Sequence, residues 1–146
     1  MNEPGRTIGL DVGDARIGVA VGDPLGILAQ PHAVIQRSSP DQDIGAVIRL
    51  VDEFEPVAIV VGIPLDLEGK EGPQARKVLD FVESLRDAVD VEVVTQDERY
   101  STAAAERSLT QSRVRGKKRK QLIDQVAAQH ILQTYLDRRA HQRNAR

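Results

Sequence analysis

Hydrophobic and polar positions alternate almost from the start of the chain. Ile8, Leu10 and Val12 point to one side of a strand, and Gly9, Asp11 and Gly13 to the other. Ile17, Val19 and Val21 repeat the arrangement against Gly18, Ala20 and Gly22. The pattern predicts two strands joined by a tight turn. Asp23-Pro24-Leu25-Gly26 is a further turn, and Ile27 to Ile35 supplies a third antiparallel strand, which Pro31 marks as an edge. Ser38 to Asp43 carries loop and helix-start residues, after which Ile44, Val47, Ile48, Val51 and Phe54 recur at helical spacing. Pro56 closes that helix. Val57 to Val61 is apolar throughout, as a parallel strand covered on both faces would be. A loop, Gly62 to Gly72, follows, and Pro73 opens a helix with Ala75, Val78, Leu79, Val82 and Leu85 on its apolar stripe. Val91 to Gln96 is the fifth strand. Ser101 or Thr102 caps a helix from Ala103 to Thr110, Ser112 to Lys120 reads as a mobile basic stretch, and Gln121 to Arg139 forms the last helix.

This order predicts an α/β fold. Its five-stranded mixed sheet combines a three-strand antiparallel meander with two parallel strands, and helices cover both faces. The 146 residues form one domain, 1–146, with 1–6 and 140–146 fraying at the ends. Forty per cent apolar and 29% charged residues fit a globular chain. The absence of cysteine excludes disulfides and thiolate metal sites and suits a reducing compartment. With no membrane-length apolar run and no signal-type segment, the expected location is cytoplasmic, with no membrane partner. Charge changes the picture more. Residues 1–106 carry 9 Lys and Arg against 20 Asp and Glu, a net −11, whereas residues 107–146 carry 11 against 2, a net +9. An acidic body with a basic end points to a polyanionic partner, although a solvated tail would look the same.

Among 22 acids, position selects three. Asp11 lies inside a strand between two glycines, where a ligand or another backbone can come close. A strand-end aspartate satisfying turn amides is the alternative. Asp97-Glu98-Arg99 ends a buried strand, on the edge where open α/β sheets place ligands. Asp97 and Glu98 point to opposite sides if the strand runs on, so one of the two faces the site. Asp124 shares a helical stripe with Ala127, Ala128, Ile131 and Tyr135. A carboxylate on a buried stripe needs a cation or an arginine partner, Arg16 and Arg99 being available. Three such acids suit hard divalent ions, Mg²⁺ with Mn²⁺ as its substitute. A two-metal site, its ions ~3.5–4 Å apart, would serve an in-line phosphoryl displacement. Arg113, Arg115, Lys117, Lys118, Arg119 and Lys120 add phosphate-binding charge beside Asp124, with Arg16 and Arg99 near the acids.

These residues resemble a known family. Gly9-Leu10-Asp11-Val12-Gly13 with Arg16-Ile17-Gly18-Val19-Ala20 is one block, and Val61-Gly62-Ile63-Pro64-Leu65 a second. Gly72-Pro73-Gln74-Ala75, Asp97 to Thr102 with Ala105, and Ile123-Asp124 with Ala127-Ala128 and Ile131-Leu132-Gln133 complete the set. Together, from about Ile8 to Leu136, they are similar to the YqgF/RuvX family of Holliday junction resolvase-like nucleases. Ile63 stands where leucine is usual. The resemblance implies an RNase H-like fold, a Mg²⁺-type nuclease carrying Asp11, Glu98 and Asp124, and a role in maturing the 5′ end of precursor 16S ribosomal RNA. Precursor RNA and branched DNA are both substrates that it suggests.

The leading expectation is a metal-dependent phosphodiesterase on structured nucleic acid, with Asp11 bridging two ions and Glu98 and Asp124 completing one each. Its products would carry a 5′-phosphate and a 3′-hydroxyl. An actin-like ATPase also uses an Asp-x-Gly strand–turn–strand, but 146 residues leave no room for its second half, and Gly69-Lys70 precedes Glu71 rather than Ser or Thr. A non-catalytic binding module of ribosome assembly is the third reading. Tyr100, Tyr135, Phe54 and Phe81 are the only aromatics, too few for a broad stacking platform. A homodimer is the candidate assembly.

Overall fold

The computed structural model describes residues 5–98 and 116–144, except for the side chains of 117–119, 143 and 144. The strands are β1 (Thr7–Val12), β2 (Arg16–Gly22), β3 (Ala29–Gln36), β4 (Ala58–Ile63) and β5 (Glu92–Asp97). The helices are α1 (Pro40–Phe54), α2 (Pro73–Ala88) and α3 (Lys117–Asn144). The sheet order is β3-β2-β1-β4-β5, antiparallel across β3-β2-β1 and parallel across β1-β4-β5. This is the mixed sheet expected. Pro31 lies on the edge strand at a register shift, where it costs no ladder bond.

Two cores hold the layers together. Ile8, Leu10, Val12, Ile17 and Val19, with Ile59 and Val61, meet Val47 of α1 and Val78, Phe81, Val82 and Leu85 of α2. On the opposite face Ala20, Ala29 and Val60 meet Ala127, Ala128, Ile131, Leu132 and Leu136 of α3. The second interface is close. A Cβ added to Gly9 would lie 2.7 Å from Leu132 Cβ and 3.1 Å from the Ala128 carbonyl oxygen. One added to Gly18 would collide with the Asp124 carbonyl. The strand glycines therefore exist to admit the backbone of α3.

Several boundaries move for identifiable reasons. Helix α1 starts at Pro40, not Ile44, because Ser39 caps it, its side chain accepting from the Gln42 amide at 3.2 Å. Strand β3 starts at Ala29, not Ile27. Asp23 Oδ1 takes up the Ile27 and Leu28 amides at 2.7 and 2.8 Å, turning those residues into loop. The same bonds, Leu28's foremost, hold the Asp23 carboxyl below its usual pKa. Helix α3 includes Lys117 to Lys120, which the sequence suggested as mobile loop. Gly116, at φ 94°, precedes it, and the Lys120 amide reaches the Gly116 carbonyl at 3.2 Å. The helix also runs past Arg139 to Asn144 through good helix formers. Arg6 is not frayed, since its carbonyl accepts the Val57 amide at 2.8 Å. The expected helix from Ala103 to Thr110 lies outside the described residues. Among the described residues no helix is long and apolar enough to cross a membrane.

Two glycine-to-alanine changes should have opposite signs. Gly18→Ala must push α3 from the sheet and should cost about 3 kcal/mol, the upper end for overpacking. Gly45 lies inside α1 with only the tip of Arg49 within 4.0 Å of an added Cβ. Gly45→Ala should therefore stabilise by roughly 0.5–1 kcal/mol through helix propensity. Urea unfolding of the two variants checks both values.

Candidate active site

Asp11 pairs with Gly18 across the β1–β2 ladder, so both face α3. On its other side Leu10 pairs with Val61, which makes Gly62 the next residue along the strand beside Asp11. Asp11 thus stands between two glycines on neighbouring strands, itself 7% exposed. The other two acids come in over those glycines. The backbone of Asp124 lies against Gly18, and Glu98 Oε1 would be 3.0 Å from a Cβ on Gly62. Glycine at 18 and 62 is what lets a helix and a strand tip close on Asp11.

The choice between Asp97 and Glu98 follows from alternation along β5. Val93 belongs to the α1–α2 core, whereas Val94 packs on the α3 side. Gln96, two residues on, donates to the Ile131 carbonyl of α3 at 2.8 Å. Glu98 continues that side and is 5% exposed. Asp97, half-buried and paired with Ile63 of β4, lies instead at the sheet edge and lines a cleft of about 310 Å³ with Thr95, Gln96, Tyr135, Arg138, Arg139 and Gln142. The buried Gln96 bond pins the strand tip immediately before Glu98.

Asp124 has an arginine partner. Arg16 Nε donates to its Oδ2 at 2.5 Å, with the arginine side chain 26% and the aspartate side chain 14% exposed. Of the two arginines considered from sequence, Arg16 fills the role; Arg99 lies outside the described residues, as do Arg113 and Arg115. Lys117, Lys118 and Arg119 lie in the first turn of α3, and Lys120 is exposed. With Asp124 on Arg16, no three acidic or imidazole groups among the described residues are gathered to hold one ion. The donor set nonetheless fits a hard divalent cation. It consists of carboxylate oxygens, two of them on buried residues, which are the ligands such an ion prefers.

Two residues of the surroundings escaped sequence reading. Asp43, 2% exposed, accepts from Arg37 Nε at 3.0 Å and from the Ser38 amide at 3.0 Å. Arg37 Nη1 reaches the Gly13 carbonyl at 2.7 Å, and the Arg37 amide reaches the Ala15 carbonyl at 3.0 Å. Arg37 also lies over the Phe81 ring, 5.5 Å from its centroid. This pair ties the start of α1 to the turn between Asp11 and Arg16. The available signal was spacing: Asp43 sits four residues before Val47 on the apolar stripe of α1.

A family model described as "RuvX: Holliday junction resolvase" matches residues 5–138. The chain belongs to the RuvX family. Relatives of this RuvX chain include a protein of Natranaerobius thermophilus, 43% identical over 139 residues, covering 95% of this chain and 99% of that protein. Another, from Halothermothrix orenii, is 47% identical over 132 residues, covering 90% and 94%. Both carry the name "Putative pre-16S rRNA nuclease". Among solved structures, RuvC of T. thermophilus in complex with Holliday junction substrate superposes with a TM-score of 0.61. It is 15% identical over 94% of this chain and 96% of that one. The yeast mitochondrial Holliday junction resolvase Ydc2 gives 0.51 at 11% identity, covering 99% and 84%. The RuvX chain therefore has the RNase H-like fold of these resolvases.

Removing one member of the Asp43–Arg37 pair leaves a partly buried charge without its counter-ion. Asp43→Ala should cost about 3 kcal/mol. Equilibrium denaturation of that variant measures the loss.

Proposed function

We propose that this protein is a metal-dependent nuclease that hydrolyses phosphodiester bonds of structured nucleic acid, acting in the cytoplasm on the 5′ end of precursor 16S ribosomal RNA. The observation that carries the reading is the closure of Asp124 and Glu98 over the two glycines that flank Asp11. The names of the relatives support the RNA substrate. The family description favours a second substrate, branched DNA.

Asp11, Glu98 and Asp124 would hold Mg²⁺ or Mn²⁺. When bound, such ions polarise the scissile phosphate and lower the pKa of the attacking water. The protein's part is placement. Asp11 is fixed by its pairing with Gly18 on β2, one residue past the Leu10–Val61 pair with β4, Glu98 by the Gln96 anchor behind it, and Asp124 by the seating of α3 on Gly18. Gly18 and Gly62 serve this placement, their missing side chains being replaced by the Asp124 carbonyl and by Ile131 with Glu98.

The first turn of α3 supports a polyanionic substrate independently. Helix N-termini favour acidic residues, yet this turn has no acid and holds Lys117, Lys118, Arg119 and Lys120. Four cations on the positive end of a helix dipole are a local conflict. A phosphate backbone resolves it, being attracted both by the side chains and by the free amides.

The deciding experiment is a Mn²⁺/Mg²⁺ cleavage assay that compares a precursor ribosomal RNA leader with a four-way DNA junction. The leader should be cut, leaving a 5′-phosphate; preferential cutting of the junction would transfer the reading to branched DNA. Asp11→Asn should lower cleavage by roughly 10³-fold, the scale of losing a principal charge-stabilising group, with binding retained. Wild-type cleavage by that variant would overturn the site. Replacing Lys117 to Lys120 with alanine should flatten the salt dependence of binding by about 0.7–0.9 in log–log slope per lost phosphate contact. Anisotropy titrations between low and moderate salt read that slope.

A further inference from the structure

The ion pair between Arg16 and Asp124 is the part of the site that the nuclease reading does not use. Asp124 cannot withdraw from it easily. Its carbonyl rests where a side chain at position 18 would be, so the helix backbone that carries the carboxylate is pinned to the sheet. Arg16 is differently placed. It is the first residue of β2, next to the turn, and its long side chain is about a quarter exposed. If a divalent ion takes Asp124 as a ligand, two cations compete for one partly buried carboxylate, and their mutual repulsion is strong in such surroundings. The carboxylate is fixed and the arginine is free to swing, so the arginine is the group that leaves.

We propose that Arg16 is a resident cation for Asp124. It neutralises the carboxylate while no divalent ion is bound, is displaced when the ion enters, and then takes a phosphate oxygen of the incoming backbone. The proposal rests on the nuclease reading, because it takes Asp124 as a metal ligand. The chemistry of the guanidinium suits the exchange. Its planar fork pairs equally with carboxylate and phosphate, and it remains charged throughout. The exchange keeps Asp124 neutralised in both states, which removes the cost of holding a fixed carboxylate unpartnered. It also links the two binding events: metal entry releases the group that grips the substrate, and substrate in turn draws Arg16 away from the metal site. Such coupling is reciprocal.

The test reads metal binding without turnover. Mn²⁺ affinity of the full-length protein, measured from the free-ion signal in electron paramagnetic resonance, should tighten by about tenfold in Arg16→Gln, since a competing charge has been removed. Arg16→Lys, which keeps the charge, should bind Mn²⁺ near the wild-type level. In the wild type, Mg²⁺ should shift the Arg16 Nε–H resonance to the position of a solvent-exposed arginine. A salt bridge that persists with the ion bound would leave that resonance unmoved. Wild-type Mn²⁺ affinity in Arg16→Gln, or an Arg16 resonance unmoved by saturating Mg²⁺, overturns the proposal. Failure of both proteins to bind Mn²⁺ at millimolar concentration overturns it together with the metal-dependent nuclease reading. If the exchange is seen but Asp11→Asn still cleaves, the assignment of Asp11 to the site falls and the cation exchange stands.

Discussion

The arrangement of Asp124 and Glu98 around Asp11 depends on how closely α3 approaches the sheet. A helix normally rides on a layer of side chains, 8–10 Å from its neighbour. Here Gly9 and Gly18 remove that layer, and the carbonyls of Ala128 and Asp124 occupy its place. The consequences are chemical as well as steric. Close seating brings the backbone of Asp124 against Gly18, the residue that pairs with Asp11. It also fixes Ile131, whose carbonyl receives Gln96, and so determines where β5 ends and Glu98 begins. One packing distance therefore places Asp124 and the strand tip before Glu98 relative to a sheet that already holds Asp11.

Much of this was legible in the residues. The period-two pattern with glycines opposite the apolar face fixed the hairpin and exposed Asp11. The helical stripe through Ala127, Ala128 and Ile131 singled out Asp124, because a carboxylate there demands a cation. The sequence could not say which cation answers the demand; among the described residues the geometry puts Arg16 there. Asp97 and Glu98 also stayed open, because alternation gives opposite sides without saying which side holds the helix. Gln96 supplies that information through a contact 35 residues away in the chain.

The misses have a common cause. Asp43 satisfies the rule that picked out Asp124, but it stands among cap residues, where an acid has an ordinary role at a helix start. Its burial against Arg37 is a tertiary fact, made by the turn after β1 coming back to the start of α1. Lys117 to Lys120 were misjudged for the reverse reason: four cations at a helix N-terminus contradict local preference. Local rules fail at both places for functional or long-range reasons, as they do where a site rather than the fold dictates the residue.

The division of the hydrophobic interior into two cores has a consequence for synthesis. The sheet with α1 and α2 has an interior of its own, whereas the second core depends on α3, the last element of the chain. A nascent chain can bury the first core before α3 leaves the ribosome, but it cannot yet place Asp124. The acidic set is then incomplete until α3 has been made and seated. In a domain built in this order, one late helix both completes the second core and delivers Asp124.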